Sequence, residues 1–512
     1  MPETPQVLLR LDASPEIGMG HAARCLALAH ELRARDASVS VLAHELTDQF
    51  NDSFSEIGCD VIQLVSRSDP DEVVTRISHV RGSNHSVVLL VDQYALDAAW
   101  EAEVRRAVSR LVVLEDRPFR RHDADILVDP GADERRVGRY EALVPERAQI
   151  VTGRDFVLIH PRYVELRSVA PARDGPVQRV LVQLGSDRSD LVLRVLSALE
   201  RVASSSIQVH VVLSSDHPHL AAAKRLCAVR GWRIHSDVRD IWHLYTEVDL
   251  AIAAPGVSVW ERMCLGLPSA VIGTTEMHRD SYMDLRESGA ITWLGQSTEL
   301  ESDELANSLR RTVERTDLRR SSEACRQAVD GRGASRLASL LTIDATSEVA
   351  LRPATVDDEE RILRWANDRD TRRWSFTQEP ITAAEHREWF SSRLSDNSDC
   401  RMHLLVDHWQ VELGVVRLER DSEGAWQMSA TLAPGYRNRG LAESLVRLAC
   451  DRHLHEFGPE VTVDASVRLN RPGAGLVLSR VGFVRVTEGA NGTFATYRRT
   501  FGASPPAAPR VP

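Results

Sequence analysis

The chain is 512 residues long, which fits about three domains at roughly 150 residues each. Hydrophobic residues make up 43% and charged residues 27%, the balance of an ordinary soluble globular protein. A net charge of −11 excludes the basic surface of most nucleic-acid binders, and no run of about 18 apolar residues is present, so neither nucleic acid nor a membrane is an expected partner.

The first residues, MPETPQ, are polar and acidic and carry no signal-peptide pattern. Residues 1–165 then alternate short apolar strands with helical patterns. VLLRLD from Val7, VSVLA from Val39, SVVLLVD from Ser86, RLVVLED from Arg110 and ADILVD from Ala124 are the predicted strands. This rhythm predicts a parallel sheet covered by helices. Residues 166–176, LRSVAPARDGP, read as a linker. A second series follows with RVLVQL, IQVHVVL, VDLAIAA and SAVIG, and closes on helical patterns from 302 to 342. Two Rossmann-like domains, 1–165 and 166–345, predict a ligand cleft between them. A third unit spans 346–500, and the Pro/Ala-rich tail 501–512 is predicted to be disordered. The seven cysteines are scattered without a C-x-x-C pair, which predicts reduced thiols in a cytoplasmic protein and no structural zinc. No His, Cys, Asp or Glu spacing fits a metal site, so no metal is expected.

EIGMGHAARC, residues 16–25, lies between the first strand and an amphipathic run. Strand, glycine loop and helix in that order aim backbone N–H groups and a helix dipole at an anion. Gly18, Gly20 and Ala23 satisfy G-x-G-x-x-[G/A], and Glu45 ends the next strand where a ribose ligand would sit. A phosphate cradle has no need of His21, so His21 is either catalytic or a packing residue. The second series has its own glycine-marked strand ends, LGSD at 184–187 and APGVSVWE at 254–261. Gly256 and Ser258, leading a helix that contains Glu261, make a second anion-and-hydroxyl site. Glu261 reads equally as a ribose-binding carboxylate or as a solvated helix residue.

RLDASPEIGMGHAARCLALAHEL together with VDQYALDAAWE resembles the UDP-2,4-diacetamido-2,4,6-trideoxy-β-L-altropyranose hydrolases of pseudaminic acid biosynthesis. The resemblance covers roughly residues 5–342. It implies the two-domain GT-B arrangement and hydrolysis of a UDP–sugar bond with inversion. By the same resemblance His21 is the catalytic histidine and Tyr94 a sugar-side residue; Asp92, beside Tyr94, is a candidate to orient His21 or the water. Gly20, Gly185, Ser186, Gly256, Ser258 and Glu261 would hold UDP. A histidine at a helix N-terminus favours its neutral form and so suits a general base. Two departures stand out. Met277 and His278 replace the family's Asn-Gln, which leaves His278 on the sugar or diphosphate side. Ala254 and Pro255 alter the glycine turn, where proline fixes φ and removes a donor.

In the third unit, APGYRNRGLAESLVRLAC contains Arg437-x-x-Gly440-x-Ala442 at a strand-to-helix junction. This resembles the acetyl-CoA signature of the GNAT N-acetyltransferases, an α+β fold, in which loop N–H groups meet the pyrophosphate. The resemblance implies acetyl-CoA as co-substrate, held by Arg437, Asn438, Arg439, Gly440, Leu441, Ala442 and Asn470. LRPATVDDEERILRWANDRDTRRW and ITAAEHREWF look like the acceptor side, with Trp365, Asn367, His386 and Trp389 as candidates. Many members place a tyrosine four residues before the Gly-Phe pair that ends this region, where it protonates the leaving thiolate. Leu478 stands there, so the general acid is unassigned.

Together these readings give a bifunctional enzyme that acetylates a UDP-amino sugar and hydrolyses the product. A glycosyltransferase with another acceptor, a non-catalytic binding protein, and a protein N-acetyltransferase are the alternatives.

Overall fold

Val7, Leu8, Leu9 and Leu11 of β1 (Gln6–Leu11) are all fully buried, as a strand covered on both faces requires. β2 (Val39–Ala43), β4 (Val87–Asp92), β5 (Arg110–Leu114) and β6 (Ile126–Asp129) are apolar for the same reason. With β3 (Asp60–Gln63) and β7 (Gln149–Thr152) they form one parallel sheet in the order β3-β2-β1-β4-β5-β6-β7. These elements come from a computed structural model, which describes residues 5–14, 16–81, 86–131, 137–185, 187–238, 240–275, 282–395, 399–421, 424–458, 461–471, 473–488 and 493–501. The expected tail, apart from Phe501, lies outside the described residues.

The second sheet is also parallel. It holds β8 (Arg179–Gln183), β9 (Gln208–Leu213), β10 (Arg233–Ser236), β11 (Leu250–Ala253), β12 (Ser269–Gly273) and β13 (Ile291–Gln296), in the order β10-β9-β8-β11-β12-β13. The chain is thus an α/β protein with two Rossmann-like sheets, as read from the sequence. In each sheet the order reverses once, between β1 and β4 and between β8 and β11. Connections leave to opposite sides there, so the loops after those strands open a crevice at their carboxyl ends.

The expected linker begins as a helix instead. Arg162–Val169 is helical, and Val157, Ile159 and Tyr163 join the core of the second sheet. Arg167 explains the helix: its guanidinium donates to the carbonyls of Cys264 (2.8 Å), Val329 (3.0 Å) and Arg326 (2.8 Å). Those bonds tie the segment to the second half. The helix Gly333–Thr342 returns to the first half, where Arg35 Nη2 donates to Ser335 O (2.9 Å) and Oγ (2.6 Å).

Contacts divide the described residues into two units, one up to residue 338 and one from residue 339 on. The second unit has one sheet: β14 (Val349–Pro353), β15 (Cys400–Asp407), β16 (Glu412–Arg420), β17 (Trp426–Leu432), β18 (Thr462–Arg468), β19 (Val484–Glu488) and β20 (Phe494–Thr500). Its order is β14-β15-β16-β17-β18-β20-β19. Neighbours are antiparallel except β17 and β18, which run parallel and pair only at Trp426–Val463 and Gln427–Asp464. Beyond those two pairs the strands part, leaving a gap in the middle of the sheet.

All seven cysteines are buried and none forms a disulfide. Among the described residues no helix is long and apolar enough to cross a membrane, and no group of three or more His, Cys, Asp or Glu is placed to hold a metal ion.

Candidate functional site

The loop after β1 reaches the crevice through Gly18, whose φ of +98° favours glycine. The helix Gly20–Arg33 starts at once, so His21 falls in its first turn and is buried. Asp92 ends β4, the neighbour of β1, and is fully buried beside it. His21 Nδ1 lies 2.6 Å from Asp92 Oδ1. A carboxylate at Nδ1 puts the proton there and leaves Nε2 as the basic nitrogen. Nε2 has no hydrogen-bond partner among the described residues.

Arg24 lies one turn after His21 and therefore on the same face of the helix. Its Nε donates to Asp92 Oδ2 at 2.6 Å, and its Nη2 bonds to Asp92 Oδ1 and sits 3.2 Å from His21 Nδ1. Its Nη1 donates to Asp116 Oδ2 at 3.1 Å. Burial opposes ionisation of Asp92, yet Arg24 and then His21 hold its carboxyl well below the usual range. Tyr94, two residues past Asp92, donates to Asp116 Oδ1 at 2.6 Å and meets the His21 ring edge-on, with centroids 4.7 Å apart. Burial, then the Asp116 carboxylate, push the Tyr94 phenol above the ordinary tyrosine range, so it stays protonated. The structure thus brings His21, Asp92 and Tyr94 together. It adds Arg24 and Asp116, to which the sequence reading gave no role. Arg24 stands within EIGMGHAARC, three residues after His21, the i+3 spacing that could have found it. Asp116 closes the strand RLVVLED, and its meeting with Tyr94 depends on β5 lying beside β4.

The second half faces this group. A Cβ at Gly20 would lie 3.7 Å from Val257 Cγ2, and one at Gly131 would lie 3.8 Å from Trp260 Cζ2. The start of the helix Val257–Cys264 therefore meets the glycine loop of the first half. Gly256 precedes it at φ +134°, and its N–H donates to the Tyr282 hydroxyl at 3.0 Å. Ser258 Oγ accepts from Arg262 Nη1 at 3.2 Å. Glu261 is half-buried, not a solvated helix residue. Burial pushes its carboxyl up to about 7, against the pull of Arg262 and of the nearby Tyr163 and Tyr245 hydroxyls. Gly185 follows β8 at φ +63°. Ser186 and His278 lie outside the described residues. Glu45 pairs with Arg67 at 2.5 Å, and Asp12 accepts the N–H groups of His44 and Glu45.

In the second unit the motif loop follows β17. Asn438 and Gly440 both have positive φ, +60° and +78°, so they flank Arg439 as a left-handed turn. Gly440 is also hemmed in, since a Cβ there would lie 2.5 Å from that of Ala345. The helix Leu441–Phe457 starts next, 17 residues long, with Leu441 buried and Ala442 half-buried. The Arg437 guanidinium is engaged within the protein. It pairs with Asp368 at 2.6 Å and donates to Thr371 Oγ1 at 2.8 Å. The loop also presents backbone N–H groups at a helix N-terminus, an arrangement chemically suited to an anion. Asn470 is exposed in the turn after β18. Asn367 is occupied structurally, its amide bonded both ways to the Ile381 backbone at 2.8 Å. Trp365 and His386 are buried, and Trp389 lies 5.2 Å from the Arg417 guanidinium.

Residues 348–484 match the acetyltransferase (GNAT) domain family, so the second unit has a GNAT acetyltransferase domain. An uncharacterised protein of Methanocaldococcus jannaschii is 21% identical over 404 residues, 76% of this chain and 78% of that protein. That share of the chain exceeds either unit alone, so the likeness runs from one into the other. The spore coat polysaccharide biosynthesis protein SpsG of Bacillus subtilis is 25% identical over 339 residues, 64% of this chain and 96% of that protein. The UDP-2,4-diacetamido-2,4,6-trideoxy-β-L-altropyranose hydrolase of Campylobacter jejuni is 24% identical over 234 residues, 46% of this chain and 77% of that protein.

Proposed function

We propose that this chain is a bifunctional sugar-nucleotide enzyme. Its GNAT domain acetylates the 4-amino group of a UDP-linked amino-trideoxy sugar, and its Rossmann-like pair hydrolyses the resulting UDP-diacetamido sugar. The observation that carries the reading is the His21–Asp92–Arg24 group facing the start of the Val257–Cys264 helix.

The leaving group is already good, since a UDP anion departs without protonation. What the site must supply is a positioned water and a base. Asp92 holds the His21 ring with Nε2 outward, and Nε2 takes the water proton as its oxygen bonds to the anomeric carbon. The C–O bond to UDP breaks on the opposite face, so configuration inverts. Arg24 keeps Asp92 ionised, and Asp92 then stabilises the imidazolium that forms. Across the crevice Glu261 faces the ribose hydroxyls, and Gly256 and Ser258 bring the helix N-terminus to the diphosphate. In the GNAT domain the 438–441 loop cradles the coenzyme A pyrophosphate, and the gap between β17 and β18 admits the acyl arm. Carrying both activities on one chain raises the concentration of the acetylated product at the hydrolytic site.

The deciding experiment incubates the protein with a UDP-2-acetamido-4-amino-2,4,6-trideoxyhexose and acetyl-CoA, following free thiol and free UDP together. UDP release should depend on acetyl-CoA and lag behind thiol release. Rapid UDP release without acetyl-CoA would remove the proposed order, and UDP release only on adding a sugar acceptor would make the first unit a glycosyltransferase.

A further inference from the structure

We propose that Tyr497, on β20, is the acid that protonates the coenzyme A thiolate as it leaves. This rests on the acetyl-transfer reading of the GNAT domain. When an amine adds to the acetyl carbonyl, the tetrahedral adduct collapses by breaking its C–S bond. The bonding pair goes to sulfur, and a nearby O–H donor that gives its proton there lowers the barrier. The phenolate regains a proton from solvent, which also accepts the proton lost by the amine.

Four observations place Tyr497 at that step. Its strand register sets it opposite Ala465 of β18, one residue beyond Asp464, where β17 and β18 last pair. It therefore stands at the level where the sheet opens. Its side chain points to the face that carries the cradle helix. Arg499, two residues on and so on the same face, lies beside the Cys450 thiol of the Leu441–Phe457 helix, whereas Arg498 on the other face pairs with Asp464 at 2.7 Å. On that face Tyr497 meets the helix Ala474–Arg480, at Gly475. A Cβ at Gly475 would lie 2.9 Å from Tyr497 Cζ and would collide with its hydroxyl, so the absent side chain is what makes room for the phenol. Leu478 is three residues further along that helix, hence on the same face, and is buried. Finally, the Tyr497 ring is half-buried, and its hydroxyl makes no hydrogen bond among the described residues. The helix carries leucine where an acid would stand, and a neighbouring strand supplies the phenol one turn away.

Tyr497→Phe removes only the hydroxyl. Turnover of acetyl-CoA with the UDP-4-amino sugar should fall on the order of a hundredfold. Coenzyme A affinity by calorimetry should stay within about twofold, because the cradle loop is untouched. Adding Leu478→Tyr to that variant should recover at least about tenfold of the loss. The slow release of coenzyme A from acetyl-CoA in water, with no acceptor sugar, needs the same proton and should fall in parallel. Tyr497→Phe with wild-type turnover in both assays overturns the proposal, as does a loss of coenzyme A binding that accounts for the lost rate. If wild type releases thiol in water but not to the amino sugar, the acceptor assignment fails while the water assay still decides the role of Tyr497.

Discussion

His21 shows how much one side chain depends on its neighbours. An imidazole in a helix first turn is a common packing feature. What distinguishes His21 is that Asp92 fixes Nδ1, while Arg24 compensates the carboxylate that does the fixing. His21→Ala should lower UDP release from the acetylated UDP-sugar by about a hundredfold or more, with UDP binding unchanged in calorimetry. Glu261 offers a test that needs no sugar substrate. Its carboxyl ionises near 7 in the free protein, so at pH 6 it carries a proton. The ribose hydroxyls are donors and favour the carboxylate. UDP binding at pH 6 should therefore release a proton, and at pH 8.5 should release none. Calorimetry in buffers of different ionisation enthalpy measures the difference, and Glu261→Gln should abolish it. The same raised carboxyl makes the free protein lose stability as pH rises from the ordinary glutamate value of about 4.3 towards 7, since the unfolded chain gives up that proton first. His21 and Tyr94 are legible through the resemblance of their two stretches to a known family, and Asp92 through its place two residues before Tyr94; the structure brings the three side chains together. Asp116 is not legible, because strand order is not written locally.

At the scale of elements, the strands that the sequence hid are those that end sheets. β3, β7, β10 and β13 all lie at sheet edges. Each is half-exposed over much of its length, so DVIQ or RIHS never shows the apolar run that marks an interior strand. The helical start of the expected linker, residues 166–169, is hidden for a related reason. Arg167 and Tyr163 look like surface residues until the carbonyls and core they meet are known. Arg167 holds three carbonyls at once, and Arg167→Ala leaves them without that donor. Unfolding in urea should show a loss of about 1–3 kcal/mol, the range for a hydrogen-bonded charged group. A change below about 0.5 kcal/mol would mean the helix Arg162–Val169 is held by its apolar contacts alone.

At the scale of the whole chain, three sheets answer to the three units that length alone made plausible. The contact division falls between Ala338 and Ser339, inside the helix Gly333–Thr342, a few residues before the boundary read from the sequence. Ser339 Oγ bonds to Asp407 of the GNAT unit, which accounts for the offset. Cleavage between residues 343 and 347, just past that helix, should give two soluble pieces, one hydrolysing the UDP-sugar and one acetylating the amine. Two insoluble pieces would mean the units share a core. The buried cysteines have a consequence at the bench. Burial raises every thiol above its ordinary range, to about 11 for Cys59, Cys227 and Cys450 and about 12 for Cys264 and Cys325. Thiolates are what react with disulfide dyes. At pH 7.5 the native protein should therefore be silent to such a dye, and colour in the assay mixture should come from coenzyme A alone.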